Sequence, residues 1–97
     1  MSLIVQKFGG SSVANAERVF NVARIVTDTY QKGNNVIVVV SAQGDTTDDL
    51  IEKAAEINEN ASKREMDMLL ACGEQMSIAL LAMAIEKIGC PVVSLTG

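Results

Sequence analysis

The segment VIVVVSA, residues Val36 to Ala42, is a continuous apolar run rich in β-branched residues. Runs of this kind are typical of strands that are covered on both faces, as in parallel sheets. Two similar runs, Leu3 to Phe8 and Val92 to Leu95, lie before and after it in the chain. Together the three runs predict a parallel sheet in an α/β fold.

The residues between these runs have helical spacing. Apolar side chains recur every three or four positions from Val19 to Tyr30, and Gly33 supplies a C-terminal stop. Residues 45–58 predict a second helix with Leu50, Ile51, Ala54 and Ile57 on its packed side. Residues 64–88 predict a long helix that is apolar nearly all round its middle, so we expect it to be covered on more than one side. The predicted order is βαβααβ, an open, mainly parallel sheet with helices on its faces.

Composition excludes several classes of protein. Ninety-seven residues predict one domain, and a net charge of −4 with three aromatic residues argues against a nucleic-acid partner. Uninterrupted apolar runs fall short of the roughly 18 residues that a membrane span needs, which predicts no membrane partner. The first residues lack the basic flank and apolar stretch of a secretory signal. We therefore expect a cytoplasmic protein.

The chain contains two cysteines and no histidine. Cys72 and Cys90 lack the spacing of a zinc site, so we expect reduced, mostly buried thiols and no metal ligands. Catalytic Ser-His-Asp and Cys-His arrangements are excluded because both require imidazole. Any chemistry must therefore proceed without a histidine base.

Ligands of open α/β sheets collect beyond the carboxyl ends of the strands, which here means residues 7–13, 41–47 and 95 onward. In the first loop, Lys7 and the glycine pair could form a phosphate cradle or an ordinary tight turn. In the second loop, hydroxyl groups could grip an anion, or Thr46 or Thr47 could simply cap the helix. Neither loop contains a P-loop or a Gly-x-Gly-x-x-Gly motif.

Gly73-Glu74 lies inside the long predicted helix. Glycine there costs roughly 1 kcal/mol relative to alanine, which indicates that another group approaches the helix closely. Helical spacing places Glu74 at the margin of the buried stripe, where a carboxylate needs a cationic partner. That partner could be a lysine or arginine of the fold, or the ammonium group of a ligand.

Four stretches resemble, in order and spacing, the amino-terminal part of aspartate kinases in the amino-acid-kinase superfamily. They are VQKFGGSSV, VVVSAQGDTTDDL, REMDMLLACGEQMS and SLTG. The resemblance implies a partial three-layer, carbamate-kinase-like fold. It also implies that residues 1–97 are an amino-terminal fragment of the kinase domain, without the rest of that domain and without the regulatory ACT domains.

The resemblance further implies ATP- and Mg²⁺-dependent phosphorylation of the side-chain carboxylate of L-aspartate, the first step toward lysine, threonine and methionine. Lys7 would be catalytic and would face the transferred phosphoryl group. Gly9, Gly10 and Ser11 would bind the ATP phosphates, and the residues lining the aspartate would be Ser41, Thr47 and Glu74. Gln43 stands where many relatives have methionine, and we expect its side chain to pack rather than react.

Two alternatives remain open. The chain could belong to another amino-acid kinase, acting on glutamate derivatives or UMP, although TTDDL and REMDMLL argue against this. It could also be a noncatalytic short relative that binds an anion or a partner subunit. In either case an incomplete sheet leaves an open edge and bare helix faces, so we expect an inactive homo-oligomer.

Overall fold

In the computed structural model, which describes residues 2–95, helices pack on a parallel pair of strands. In chain order the elements are β1 (Leu3–Phe8), a 3₁₀ turn (Gly10–Val13), α1 (Ala16–Gln31), β2 (Asn35–Val40), α2 (Gly44–Ile57) and α3 (Lys63–Ile88). The strands pair in register from Leu3 opposite Asn35 to Phe8 opposite Val40. The predicted α/β class and the order of the first five regular elements are confirmed.

Local sequence signals explain where the helices begin and end. The Asn15 side chain accepts a hydrogen bond from the Arg18 amide at 2.9 Å, which caps α1, and Ser62 does the same for α3. Gly33 and Gly89 adopt φ values of 93° and 94°, in the left-handed region that favours glycine. Both glycines follow the last turn of a helix, as the sequence predicted for Gly33.

The core lies where α1 and α3 pack on one face of the sheet. Val22, Ala23 and Val26 from α1 meet Leu81, Ala84 and Ile85 from α3, and Val13, Val19, Val40 and Cys90 complete this buried cluster. Phe8, Val36 and Val38 pack against the cluster from the strands. Both helices therefore cover the same face of the sheet.

The other face of the sheet is open, which corrects the prediction of strands covered on both faces. Leu3, Val5, Ile37 and Val39 alternate with the packed positions and are 45–64% exposed. The reason is topological, because α2 packs on α3 rather than on the sheet. Within residues 2–95 the fold has helices on one face, and the second helical layer of a three-layer fold is not formed.

The third predicted strand is also wrong in this structure. Val92 packs against the core, but residues 91–95 have no regular secondary structure, and Val93 and Leu95 are exposed. A strand requires a ladder of hydrogen bonds, and within the described residues none joins this segment to β2. The loop predicted from residue 95 onward lies largely outside the described residues.

Two helices are less covered than their sequences predict. In α2, Leu50 and Ala54 are partly buried, whereas Ile51 is exposed and Ile57 is 88% exposed. A single neighbouring helix, α3, covers only a narrow stripe of α2. On α3 the side opposite the core is bare, since Met68, Met76 and Met83 are more than half exposed. Coverage of α3 on more than one side is therefore not found.

Helix α3 also meets the length and composition requirements of a membrane span, with a mean hydropathy of 1.7 over 18 residues. Counting uninterrupted apolar runs missed this because isolated polar residues divide the helix. Its buried residues pack against α1 and β2, as in the core helix of a globular domain. Cys72 on α3 is exposed and Cys90 is buried, so the prediction of mostly buried thiols holds only for Cys90, although both thiols are free.

Candidate functional site

The first and second loops meet at the carboxyl edge of the sheet. The Ser41 amide donates to the Phe8 carbonyl at 3.2 Å, which extends the strand ladder into the second loop. A Cβ atom added to Gly10 would lie 2.5 Å from the Ala42 carbonyl oxygen, closer than real Cβ atoms approach. Gly10 therefore allows the backbone of the first loop to lie directly against that of the second.

A 3₁₀ turn, rather than the start of α1, follows the glycine pair. The Ser12 amide donates to the Gly9 carbonyl at 3.0 Å, and the Arg18 guanidinium, from the first turn of α1, donates to the Ser11 carbonyl at 2.9 Å. Because the first amides of a helical turn have no acceptor within it, those of Gly10 and Ser11 are available to an anion. The predicted donors exist, but they belong to this turn and not to α1, whose amino terminus Asn15 caps.

Gly9 has no structural requirement for glycine within the described chain. Its backbone is extended, with φ −76° and ψ 172°, and a Cβ atom there would have nothing within 4 Å. Neither conformation nor packing therefore explains the missing side chain. The open space at Gly9 fits the close approach of a ligand to the backbone.

The second loop opens α2 without the predicted cap. Gln43 is the N-cap residue, and its carbonyl accepts a hydrogen bond from the Thr47 amide at 3.2 Å. Thr46 and Thr47 lie inside the first turn and do not cap the helix, because the N-cap residue, Gln43, precedes them by three and four positions. Ser41 and Thr47 are both partly buried at this corner.

Gly73 brings α3 against the second loop, as its position within a helix predicted. A Cβ atom on Gly73 would lie 3.1 Å from the Ala42 Cβ and 3.5 Å from the Thr46 methyl group. Ala42 therefore touches both the first loop and α3. Glu74, the next residue, is exposed rather than at a buried margin, and within residues 2–95 its carboxylate forms no salt bridge. The predicted lysine or arginine partner from the fold is not found in this part of the chain.

Lys7 is exposed near the end of β1, opposite Val39. Because side chains alternate along a strand and Phe8 faces the core, Lys7 faces the open side of the sheet. Two hollows in the described structure, of about 700 and 530 Å³, are lined by other residues and contain none of Lys7, Thr47 and Glu74. The contacts bring the three segments together at one edge but do not enclose these three side chains in a cavity.

Comparison with known proteins identifies the family to which this chain belongs. The sequence profile of the amino acid kinase family matches residues 2–97. The chain belongs to the amino acid kinase family. The expectation drawn from the four sequence motifs is thereby confirmed at the level of the family.

Within the amino acid kinase family, the similar proteins are aspartokinases. The chain is 59% identical to the aspartokinase of Geobacillus stearothermophilus, 56% to that of Corynebacterium glutamicum and 55% to that of Mycobacterium tuberculosis, each over all 97 residues. The crystal structure of aspartate kinase from Synechocystis superposes with a TM-score of 0.92 at 54% identity, covering 96% of this chain and 16% of that one. The chain spans about a quarter of the length of the curated relatives.

Two residues of this amino acid kinase segment form hydrogen bonds at the carboxyl edge of the sheet that the sequence did not predict. Arg18 holds the Ser11 carbonyl, and the Gln43 side-chain amide donates to the Val13 carbonyl at 2.6 Å. The sequence offered no signal for Arg18, which lies on the exposed side of an ordinary helix. The sequence predicted that the Gln43 side chain packs rather than reacts, and it gave no signal for this hydrogen bond.

Proposed function

We propose that these 97 residues form part of the ATP and aspartate sites of an aspartate kinase, which phosphorylates the side-chain carboxylate of L-aspartate. Identities of 55–59% to aspartokinases over the whole chain support the activity. The observation that carries the site is the contact of Gly10 with Ala42 and of Ala42 with Gly73. It gathers the three motif-bearing segments at one edge of the sheet.

The first loop is proposed as the ATP end of the site, with Lys7, Gly9, Gly10 and Ser11 at the phosphates. The unused amides of the 3₁₀ turn favour negative charge, and the open space at Gly9 lets phosphate oxygens reach the backbone. Lys7, exposed beside this turn, supplies a positive charge for the transferred phosphoryl group. The donor set therefore fits a nucleotide's phosphates.

The second loop and α3 are proposed as the aspartate end. The hydroxyl groups of Ser41 and Thr47 can donate to a carboxylate. The Glu74 carboxylate, unpaired within residues 2–95 and adjacent to the contact between Gly73 and the loop, is free to accept the ammonium group of the amino acid. Acid and hydroxyl groups on neighbouring segments thus match the two kinds of charge on aspartate.

The absence of histidine from residues 1–97 is compatible with this reaction. The aspartate side chain has a reference pKa of about 3.9 and is ionised at neutral pH, so it needs no general base to attack phosphorus. What the protein must supply is positioning and neutralisation of charge on the phosphoryl oxygens. Lys7 and the turn amides meet that requirement without imidazole.

Mg²⁺ is proposed to enter with the nucleotide. Among residues 2–95 no group of three or more His, Cys, Asp or Glu side chains lies close enough to hold a metal ion. Kinase sites generally hold Mg²⁺ through one or two carboxylates and the substrate's phosphates, so such a cluster is not required. When bound, the ion would neutralise charge on the phosphates.

The proposed reaction is tested by trapping the acyl phosphate with hydroxylamine. A chimera in which residues 1–97 replace the matching segment of the Geobacillus stearothermophilus aspartokinase is expected to form aspartyl hydroxamate with ATP, Mg²⁺ and aspartate. The 97-residue chain alone is expected to form none, because about three quarters of the relatives' length is missing from it.

Each other result has a definite meaning. A folded chimera that yields no hydroxamate would contradict the kinase assignment and favour a noncatalytic anion-binding relative. Hydroxamate formed from glutamate in preference to aspartate would indicate another member of the amino acid kinase family. Product from the 97-residue chain alone would show that the segment is active by itself, contrary to expectation.

The longer protein is proposed to be cytoplasmic, with residues 1–97 as the amino-terminal part of a kinase domain that continues into ACT domains. Close similarity to bacterial aspartokinases of about four times this length supports both statements. Lysine, threonine and methionine synthesis would then use its product.

We also propose that the chain pairs with a second copy through the bare face of α3. This face is apolar along its middle and is formed by Met68, Cys72, Met76, Leu80 and Met83. Met76 stands midway between Glu65 and Lys87. In an antiparallel pair with its two-fold axis at Met76, Glu65 of each copy therefore faces Lys87 of the other. The face is self-complementary in charge as well as apolar.

Sedimentation equilibrium of the 97-residue chain tests this pairing. Met76→Lys is expected to convert a dimer into a monomer, because it places two like charges in the desolvated centre of the interface. Ile57→Lys, at an exposed apolar site on α2, is the matched control and should leave the dimer unchanged. A monomeric wild-type chain, or a Met76→Lys variant that still dimerises, would contradict the proposal.

A further inference from the structure

Gln43 makes one hydrogen bond to the first loop and one within the second loop. Its side-chain Nε2 donates to the Val13 carbonyl at 2.6 Å, at the end of the 3₁₀ turn in the first loop. Its own carbonyl accepts from the Thr47 amide at 3.2 Å, which opens α2 in the second loop. One residue therefore fixes the end of one loop and the beginning of the helix that follows the other.

Water does not reach the Val13 carbonyl while the Gln43 side chain is in place. Val13 is 0% exposed, so its carbonyl oxygen is shielded from solvent and depends on a protein donor. Gln43 is itself partly buried at this contact. Loss of the side-chain amide would leave a buried acceptor without a partner, and the turn would have to open for that acceptor to reach water.

The backbone contact between Gly10 and Ala42 acts in the same direction. Ala42, directly before Gln43, lies against Gly10 in the first loop and against Gly73 in α3. A shift of the turn would therefore displace residues 42–43, and with them the first turn of α2 that carries Thr47. This close approach adds a second contact between the two loops beside the Gln43 hydrogen bond.

We propose that Gln43 is a positioning residue that couples the phosphate-binding turn to the aspartate-binding loop. It touches neither substrate in this scheme; it holds the turn amides and the Thr47 end of α2 in one fixed arrangement. Binding of phosphate groups at the turn would then stabilise residues 41–47 before aspartate arrives. The ligand part of this inference rests on the proposed function, whereas the link between the loops does not.

Amide hydrogen exchange of the 97-residue chain, measured by NMR, tests the link without any ligand. The reporters are the Ser12 amide, bonded to Gly9, and the Thr47 amide, bonded to Gln43. Gln43→Met keeps the side-chain size but removes the donor, and Gln43→Glu replaces the donor with an acceptor. Both variants are expected to exchange about tenfold faster at both reporters, the size that loss of one buried hydrogen bond predicts.

Control measurements separate a local effect from general unfolding. Gln31→Met, at the exposed end of α1, should leave exchange at both reporters unchanged. The core amides of Val22 and Val26 should remain protected in every variant, with unchanged circular dichroism. Wild-type exchange at Ser12 and Thr47 in both Gln43 variants would overturn the link. A change confined to one loop would overturn the coupling.

Inorganic pyrophosphate is the probe for the ligand part. In the wild-type chain it should slow exchange at Ser12 and also at Thr47, whereas in Gln43→Met any protection should stop at the first loop. A merely structural glutamine would lower stability but would not uncouple the two responses. Protection of Thr47 that persists in Gln43→Met would overturn the inference. Pyrophosphate that fails to bind the wild-type turn would overturn the phosphate site, and ligand-free exchange would still decide the link.

Discussion

Replacement of Lys7 by alanine in the chimeric kinase is expected to lower kcat by about 100- to 1000-fold, the usual cost of removing one group that stabilises transition-state charge. The KM for aspartate should change little, because the proposed contacts to aspartate come from the second loop and α3. Lys7 is exposed and forms no salt bridge within residues 2–95, so its loss should leave the fold intact. Steady-state kinetics with hydroxamate detection measures both constants.

The matched control for this variant is Lys53→Ala, which removes an exposed lysine from α2, away from the sheet edge. Its kcat and KM should equal those of the wild-type chimera. Lys7→Arg keeps the charge but changes the shape of the donor, and it should recover only part of the rate. Equal kcat values for wild type and Lys7→Ala would remove Lys7 from the proposed chemistry.

Residues whose structural requirements are local were the ones that sequence predicted well. Gly33 ends α1 in a left-handed conformation, and Val22 and Val26 face the core at the spacing that helical periodicity requires. Gly73 is the most informative case, because a glycine inside an apolar helix predicted a close approach and the second loop provides it. These predictions needed no knowledge of what lies far away in the chain.

Predictions that depended on distant parts of the fold were less successful. The apolar runs of β1 and β2 predicted two covered faces, whereas the burial of alternate residues shows that the structure covers one. Val92 to Leu95 has the composition of a strand, but composition supplies no hydrogen-bonding partner. Helical spacing fixes the direction in which Glu74 projects from α3, whereas its exposure depends on which elements surround α3.

In the candidate site, too, local features could be predicted from the sequence and contacts between distant residues could not. The residue types at Lys7, Gly9 and Gly10 were compatible with a phosphate site or an ordinary tight turn, and the structure adds open space at Gly9 and turn amides that have no acceptor within the turn. The interlocking of the loops through Gln43 could not be predicted, since residues 13 and 43 are distant in sequence and their contact depends on the 3₁₀ turn. No observation tests the roles of the proposed site residues, which stay predictions for Lys7, Gly9, Gly10, Ser11, Ser41, Thr47 and Glu74 alike.

The adjacent glycines at positions 9 and 10 are expected to respond to alanine in opposite directions. Gly10→Ala would place a Cβ atom 2.5 Å from the Ala42 carbonyl oxygen, a backbone atom that cannot move aside by rotating a side chain. Overpacking of this kind costs about 1–3 kcal/mol, which lowers Tm by at least about 4 °C in a domain of this size. The strain falls on the contact that holds the two loops together.

Gly9→Ala is the matched control, because its extended backbone suits alanine and nothing lies within 4 Å of the new methyl group. Alanine there also restricts the unfolded chain, so stability should rise by about 0.4–1 kcal/mol. Binding of pyrophosphate should nevertheless weaken in Gly9→Ala, since the methyl group occupies the space proposed for phosphate oxygens. Thermal denaturation and an NMR titration of the 97-residue chain measure the two effects separately. Equal losses of stability in both variants would contradict the packing argument, and unchanged pyrophosphate affinity in Gly9→Ala would contradict the phosphate site while leaving the contact between Gly10 and Ala42 in place.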